Sequence, residues 1–403
     1  MSLTEPPVFG AASSATSNDQ TRRTNLSLVL SLVHHRGSLT RAELARVTGL
    51  NRSTVANLTS QLSDLALLYE TSPAASTNVG RPSPEVHANA STAALAINPE
   101  IDAITIGLVG LGGRVIRRIR YETDRVPSAG EVARVSAAVI DGMRAELDNS
   151  YRIVGIGMAV PGLVRAEDGE VKYAPHLGWV DEPIAQMVAM ATGYPTWAAN
   201  DASLGAGSEI IFGAGQGSLD LLYLNGGSSG IGGGVVAGGS LLTGTDGYAG
   251  ELGHTLVNSD GQRCHCGALG CLEVEVSKKR LLAAVGLESA DNDELGAALA
   301  ASDDPAAMQE VRRQLDFLAV ALRNAVNVLN PERIVLGGFL ATVYSLDPAR
   351  LNDRVSGESL DGSAQVAQII PARLGADLLL IGAAELAFSG VLSDPAGVIL
   401  SRA

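Results

Sequence analysis

The chain has few cysteines and no long apolar run, and these absences exclude several classes of protein. Its three cysteines all lie between positions 264 and 271, so a disulfide framework is not expected. Residues 1–20 lack the basic and apolar segments of a signal peptide. No stretch approaches the roughly 20 apolar residues that a membrane span needs. Together these absences predict a cytoplasmic protein.

Positive charge is also scarce over most of the chain, whose formal net charge is −14. Residues 1–90 contain seven Arg against six Asp and Glu, a net charge of +1, which leaves −15 on the remainder. Within residues 22–60, six Arg stand against Glu43 alone, a net charge of +5. A small basic patch on an acidic body predicts that any contact with nucleic acid is confined to the first segment.

The length of 403 residues exceeds one ordinary core and predicts two or three domains. Apolar residues make up 46% and charged residues 18% of the chain, which is a globular composition. The exception is residues 1–20, which are rich in Ser, Ala, Thr and Pro and show no apolar periodicity. We expect a disordered tail there.

Three short helices are predicted between residues 21 and 65. Apolar residues at helical spacing define the buried faces of the first and third helices, at Leu26, Val29, Leu30, Val33, Val55, Leu58, Leu62 and Leu65. Thr40 and Glu43 form a capping box that begins the second helix, and Gly49 ends it. A third helix that begins near Asn51 completes a helix-turn-helix pattern. The alternative is an ordinary small helical bundle.

Polar residues on the third helix and beyond it favour DNA binding. The exposed face of this helix carries side chains that can reach base edges and phosphates, at Arg52, Ser53, Thr54 and Asn57. Residues 79–82 then resemble a wing whose Arg81 suits the narrow minor groove of A·T-rich DNA. We therefore predict an α-helical winged helix-turn-helix domain over residues 21–88 that binds operator DNA.

Beyond residue 90 the pattern predicts an α/β domain. Residues 104–108 and 115–121 form a predicted hairpin. Further strands are predicted at 153–160, 221–224 and 334–336, each of which is followed by glycine. Long helices are expected at 305–330 and 376–391.

A metal site is predicted from His254, Cys264, Cys266 and Cys271. Three thiolates and one imidazole make the closed tetrahedral shell that Zn²⁺ favours in structural sites. All cysteines of the chain lie within eight positions, beside glycines that allow a tight fold. The alternative is three buried cysteines that bind nothing. His265 lies between two of the ligands and is a competing donor.

The motifs around these ligands resemble the ROK family of repressors, open reading frames and kinases. The resemblance covers roughly residues 22–395. It rests on five segments of this sequence, at 174–179, 200–202, 230–234, 250–254 and 264–273. It implies a two-lobed, actin-like sugar-kinase fold with the sugar in the cleft. We expect lobe I at 89–200 plus 376–403, and lobe II with the zinc site at 201–375.

The resemblance also implies a set of sugar-binding residues, Gly162, His176, Asn200, Asp201, Glu251, His254 and Glu273. Carboxylates and amides bind sugar hydroxyls through charge-assisted hydrogen bonds. His254 would bind zinc through one nitrogen and face the sugar with the other. Asp201 stands where the kinases of the family place their general base. Taken alone, Asn200 and Asp201 are better explained by a local structural role, as a turn or a helix cap, than by sugar binding.

One segment and one single residue of this sequence depart from the pattern of the family's kinases. Where these open with Asp-x-Gly-x-Thr, this chain has Asn98, Pro99 and Glu100, which lack the phosphate-binding glycines and add a carboxylate. His176 stands where many relatives have Asn. We therefore expect a sugar-responsive regulator, a repressor, without enzymatic activity and with a sugar or sugar phosphate as effector. The alternatives are an ATP-dependent sugar kinase with an appended DNA-binding domain, and a zinc-stabilised scaffold. A homodimer or homotetramer is expected.

Overall fold

The structure is a computed structural model that describes residues 17–72, 83–227, 230–360 and 367–397. The chain divides into two compact units. Unit 1 comprises Met1–Asn89 and Ser389–Ala403, and unit 2 comprises Ala90–Phe388.

Unit 1 contains three helices and a small antiparallel sheet. Its elements are α1 (Ser17–Arg36), β1 (Leu39–Thr40), α2 (Arg41–Thr48), α3 (Arg52–Asp64), β2 (Leu68–Thr71) and β3 (Glu85–Ala88), with strand order β1-β3-β2. The capping box of Thr40 and Glu43 is present, and Gly49 ends α2 in the left-handed region with φ 72°. Asn51 caps α3 by accepting a hydrogen bond from the Thr54 amide. Local capping therefore sets the limits of both helices.

Both ends of unit 1 differ from the sequence-based expectation. Helix α1 begins at Ser17, so the last four residues assigned to the disordered tail are helical. The final residues of the chain, expected in lobe I, group with unit 1 instead. Ser27 donates a hydrogen bond to the Leu392 carbonyl at 2.7 Å, and Arg23 pairs with Asp394 at 3.1 Å. These contacts join residues more than 360 positions apart, which no local pattern encodes.

Lobe I of unit 2 is built on a five-stranded mixed sheet. In chain order its elements are β4 (Thr92–Pro99), β5 (Ala103–Gly110), β6 (Arg114–Glu122), α4 (Ala129–Ser150), β7 (Arg152–Val160), β8 (Leu163–Val164), β9 (Val171–Ala174), β10 (Trp179–Glu182), α5 (Ile184–Thr192) and β11 (Thr196–Asn200). The strand order is β11-β7-β4-β5-β6, and β8, β9 and β10 form a separate small sheet. The predicted hairpin is β5 and β6. Helices α4 and α5 cover the fully buried strands β4 and β5.

Lobe II repeats this plan with a second five-stranded sheet, ordered β14-β13-β12-β15-β16. Its elements are α6 (Asp201–Phe212), β12 (Leu221–Gly227), β13 (Gly230–Ala237), β14 (Ser240–Leu241), α7 (Leu272–Glu275), α8 (Lys278–Ala284), α9 (Asn292–Ala301), α10 (Pro305–Leu329), β15 (Arg333–Gly338), α11 (Phe339–Leu346), α12 (Pro348–Glu358) and β16 (Gln368–Pro371). The long amphipathic α10 buries one face against this sheet. The last helix, α13 (Leu378–Ser393), contacts residues of both lobes.

Helix α13 and the residues just before it form a long apolar segment. The segment 375–393 meets the length and hydropathy of a membrane-spanning helix, contrary to the expectation that no such stretch exists. Over half of it, 56%, is buried within the protein. Leu380 and Ala383 lie so close to Gly107 and Gly157 that a β-carbon at either glycine would collide with them. This packing against the lobe I sheet explains the apolar composition.

Candidate functional site

The carboxyl ends of several strands in unit 2 meet at a cavity of about 410 Å³. Such strand ends are where α/β proteins commonly bind ligands. All seven residues predicted to bind sugar line this cavity: Gly162, His176, Asn200, Asp201, Glu251, His254 and Glu273. They come from both lobes and span more than 110 positions, so the fold brings together what the sequence separates.

Asn200 and Asp201 lie at the junction of β11 and α6. The Asn200 side chain accepts a hydrogen bond from the Ser203 amide, as a helix cap does, and also donates to the Gly162 carbonyl at 2.9 Å. Asp201 accepts a hydrogen bond from the Ala202 amide at 2.8 Å. Burial raises the pKa of Asp201 to about 6, with a further contribution from the nearby Glu251. The helix-cap explanation is therefore correct for Asn200, and both side chains still face the cavity.

Glu251 precedes a single 3₁₀ turn, Leu252–His254, and His254 is its last residue. Burial raises the pKa of Glu251, while the neighbouring His254 opposes that shift. The Nε2 atom of His254 lies 3.9 Å from the Glu251 carboxylate, and its Nδ1 atom lies 3.5 Å from the Cys264 sulfur. One ring nitrogen thus faces the cysteines and the other faces the carboxylate at the cavity.

The four predicted metal ligands converge. The donor atoms of His254, Cys264, Cys266 and Cys271 all lie within 4.8 Å of one another. The sulfur atoms of Cys266 and Cys271 are 3.7 Å apart. Two sulfurs at the usual zinc–sulfur distance of about 2.3 Å in a tetrahedral shell are separated by about 3.8 Å. The spacing of this Cys/His cluster therefore fits one tetrahedral metal ion.

His265, the competing donor, has a different partner. Its Nδ1 atom lies 2.8 Å from the Glu273 carboxylate and 3.9 Å from the Cys264 sulfur. A second possible metal group of His254, Cys264, His265 and Glu273 also exists geometrically. The hydrogen bond between His265 and Glu273 favours the first group, because it engages the nitrogen that would otherwise bind the ion.

Glu273 and His176 complete the wall of the cavity. Glu273 is almost fully buried and accepts a long hydrogen bond of 3.4 Å from the Ile231 amide. A β-carbon at Gly230 would collide with its carboxylate, and Gly230 also has φ 132°, so glycine is required there. His176 stacks edge-on against His265, with ring centres 5.2 Å apart. Burial lowers the pKa of His176.

The segment that departs from the kinase motif lines the same cavity. Asn98, Pro99 and Glu100 all contribute to it, at the end of β4. Glu100 pairs with Arg120 and accepts a hydrogen bond from the Thr105 hydroxyl at 3.2 Å. Arg120 also pairs with Asp102 at 3.0 Å. The Glu100 carboxylate is thus held at the cavity by Arg120 and Thr105.

Sequence analysis overlooked several cavity residues, among them Tyr173, Asn225 and Leu379. Tyr173 belongs to the small sheet of β8, β9 and β10, and Leu379 to α13. Asn225 follows an apolar strand and precedes glycine, which is a usable signal of a polar strand end. The other two have no such signal, because their exposure to the cavity follows from packing.

The predicted DNA-contacting residues of unit 1 lie on α3. Arg52, Ser53 and Asn57 are exposed, and Thr54 is half-buried. The Gln61 side chain donates a hydrogen bond to the side-chain oxygen Oδ1 of Asn57 and accepts one from Arg22 at 2.8 Å. This chain of bonds leaves the amide nitrogen of Asn57 available. Arg81 of the predicted wing lies outside the described residues.

Comparison with known proteins gives a consistent result. The ROK family model matches residues 96–389. The xylose repressor of Bacillus subtilis is 25% identical over 91% of this chain and 96% of its own length. The glucokinase of Halalkalibacterium halodurans is 30% identical over 69% of this chain and 90% of its own. A solved ROK family transcriptional regulator, homologous to the E. coli MLC protein, superposes with a TM-score of 0.75 at 25% identity, over 93% of this chain and 98% of that one.

The family model accounts for most of unit 2, and the two-sheet architecture is the actin-like sugar-kinase fold of that family. The repressor matches extend into unit 1, whereas the kinase match covers about two thirds of the chain. The expected family and the expected actin-like fold of unit 2 are thereby confirmed, and this chain belongs to the ROK family.

Proposed function

We propose that this protein is a cytoplasmic, sugar-responsive transcriptional repressor. The observation that carries the proposal is the combination, in one chain, of an exposed polar helix in unit 1 and a cavity in unit 2 lined by all seven predicted sugar-binding residues. Relatives named xylose repressor match both units. A regulator needs both parts, because a ligand must change the population that binds DNA.

Unit 1 supports DNA binding as a winged helix-turn-helix. Helices α2 and α3 are joined at Gly49 to Asn51, and β2 and β3 pair in antiparallel register around residues 73–82. Helix α3 would enter the major groove, with Arg52 and Asn57 toward bases and phosphates. Arg81, within the connection between β2 and β3, would reach the adjacent minor groove. A symmetric dimer on an inverted repeat would place two such helices about one turn of DNA apart.

Unit 2 supports sugar binding through paired acceptors. Asp201 and Glu251 face one cavity, and each carboxylate can accept hydrogen bonds from two neighbouring sugar hydroxyls. Asn200 adds an amide that is fixed by the Ser203 amide and the Gly162 carbonyl. Because these side chains are held by the backbone, little ordering is needed when the sugar binds.

We propose zinc as the ion of the Cys/His cluster, held by His254, Cys264, Cys266 and Cys271. Zinc supplies no chemistry to a reaction here and acts as a structural cross-link. It would fix the ring of His254, so that Nε2 is directed to the sugar. Cys266 lines the cavity, which joins the metal shell directly to the ligand wall.

The kinase alternative is disfavoured by Asn98, Pro99 and Glu100. A phosphate-binding turn needs free backbone amides and small residues. Pro99 has no amide hydrogen, and the Glu100 amide is already bonded to the Ala103 carbonyl at 2.8 Å. Without a phosphate-binding turn at this segment, the carboxylate of Asp201 by itself would not support phosphoryl transfer from ATP. The glucokinase relatives make a direct measurement of ADP release over a panel of sugars necessary.

The test of the proposed function uses the full chain. Selection from a random double-stranded DNA library should yield an inverted repeat, and fluorescence anisotropy then measures its affinity with and without each sugar. We expect at least one sugar to weaken DNA binding. Failure to select any sequence, or robust ATP turnover with the selected sugar, would contradict the proposal.

A further inference from the structure

Several acidic side chains and no permanently charged cation are found among the described residues that line the cavity. Four carboxylates line it, those of Glu100, Asp201, Glu251 and Glu273, and neither Lys nor Arg is found among its described lining residues. We infer that the ligand of this cavity is an unphosphorylated sugar and that the wall excludes sugar phosphates. The inference rests on the proposed function in taking the ligand to be a sugar.

The imidazole of His176 does not compensate this charge. Burial holds the pKa of His176 below its usual value, so that its ring is neutral near pH 7. Nδ1 of His265 is paired with the Glu273 carboxylate. A Zn²⁺ ion bound by three thiolates and the neutral ring of His254 would leave a site with one net negative charge. The metal would therefore add no positive charge for a phosphate.

Three backbone amides at the described part of the cavity already donate to side chains of the protein. Helix α6 begins at the cavity, and a helix N-terminus commonly binds anions. Here the Ala202 amide donates to Asp201 and the Ser203 amide donates to Asn200. The Ile231 amide is directed at Glu273. The chain thus fills its own anion-binding positions with acidic or amide side chains.

The guanidinium of Arg120 pairs with the cavity residue Glu100, and its charge is neutralised. It pairs with Glu100 and, at 3.0 Å, with Asp102. These three groups together carry a net charge of −1. A phosphate could use Arg120 only by displacing one of two carboxylates that are already in place.

The carboxylates of the cavity have opposite effects on free sugars and on sugar phosphates. A sugar hydroxyl donates a hydrogen bond to a carboxylate, whereas a phosphate dianion has acceptors only and is repelled by each carboxylate. Repulsion is strong in a partly buried cavity, because the surrounding protein screens charges less than water does. Free sugars therefore gain hydrogen bonds from the same groups that repel their phosphates.

The test compares free and phosphorylated sugars on the zinc-loaded full chain. D-xylose, D-glucose and N-acetyl-D-glucosamine, and the 5- or 6-phosphate of each, are screened by thermal shift and then titrated calorimetrically. We expect one free sugar to bind and its phosphate to bind about a hundredfold more weakly or less. Equal or tighter binding of the phosphate would overturn the inference and leave the proposed function intact. Binding of neither class would overturn the proposed function as well.

A pair of charge variants isolates the wall as the cause. Glu100→Gln removes one carboxylate from the cavity and frees Arg120, so the affinity for the sugar phosphate should rise by about fivefold or more. Asp102→Asn also breaks a pair with Arg120, but Asp102 does not line the cavity and is 67% exposed. This control should leave the affinity for both ligands unchanged. Equal effects of the two variants would mean that the wall charge does not set selectivity.

Discussion

Asp201 gives the sharpest test of the binding site, because its carboxylate faces the cavity and titrates in an accessible range. Burial raises its pKa from 3.8 to about 6. We expect the ionised form to bind the sugar, since a carboxylate accepts charge-assisted hydrogen bonds from hydroxyls. Sugar affinity should therefore fall as the pH is lowered through 6. Asp201→Asn keeps the shape of the side chain and an oxygen for the Ala202 amide, but cannot titrate.

The size of both effects follows from the structure. With a pKa of about 6, roughly one tenth of the protein carries the carboxylate at pH 5 and nearly all of it at pH 8, so affinity should drop about tenfold over this range. Loss of one charged hydrogen bond removes about 1.5–3 kcal/mol. Asp201→Asn should therefore weaken sugar binding roughly 10- to 150-fold at pH 8.

The same substitution should affect stability in the opposite direction. A pKa raised on folding means that the folded protein holds this proton more tightly than the unfolded chain. Ionisation of Asp201 therefore costs stability as the pH rises from about 4 to above 6. Removing the charge should stabilise the fold above pH 6, by up to about 3 kcal/mol for a shift of this size. Below pH 4 the two proteins should be equally stable.

Calorimetric titration of the sugar at pH 5, 6, 7 and 8, with thermal unfolding at the same pH values, measures both quantities. The variant serves as the control for zinc loss in acid, because its metal ligands are unchanged. A variant whose affinity still falls tenfold at pH 5 would show that another group causes the dependence. A variant less stable than the wild type at pH 8 would refute the burial argument.

Three further predictions concern the metal, the DNA and the fold. Cys266→Ser should lower the zinc content from about one ion per chain to none and weaken sugar binding about 10- to 100-fold, whereas the control His265→Asn should keep the ion. Elemental analysis measures the zinc content and calorimetric titration the sugar affinity, and unchanged sugar affinity in a zinc-free variant would disprove the coupling. Arg52→Ala should weaken operator binding and reduce the slope of log affinity against log salt concentration by about one, while the control Arg312→Ala in unit 2 should do neither. A slope that Arg52→Ala leaves unchanged would exclude a phosphate contact. Glu209→Ala should lower the free energy of unfolding by about 3 kcal/mol or more, because the buried Glu209 accepts hydrogen bonds from the Ala214, Arg373 and Leu374 amides. Glu209→Gln should cause a smaller loss in calorimetric unfolding, and equal losses for the two variants would mean that these bonds contribute little.

Local features of the structure were predictable from the sequence by itself. The capping box at Thr40, the left-handed Gly49 and the start of α10 at Pro305 depend on interactions within four residues. The Cys/His cluster also closes over a short segment, so its ligand set follows from spacing and residue type. The family motifs around the cluster predicted the residues of the proposed sugar site, because each motif residue is identified within its own short segment.

Tertiary structure alone decided how these segments share one cavity. Glu100 and Glu273 are 173 positions apart, yet both line the same cavity. Their negative charges act on one ligand only because the fold brings them to that cavity. Glu209 resembles an ordinary helical acid in sequence, and it is the packing of α6 that buries it against the amides of Arg373 and Leu374. Likewise, Ser27 and Leu392 draw the end of the chain into unit 1. In each case the contact joins distant segments, and its energy depends on burial and charge that no single segment possesses before the chain folds.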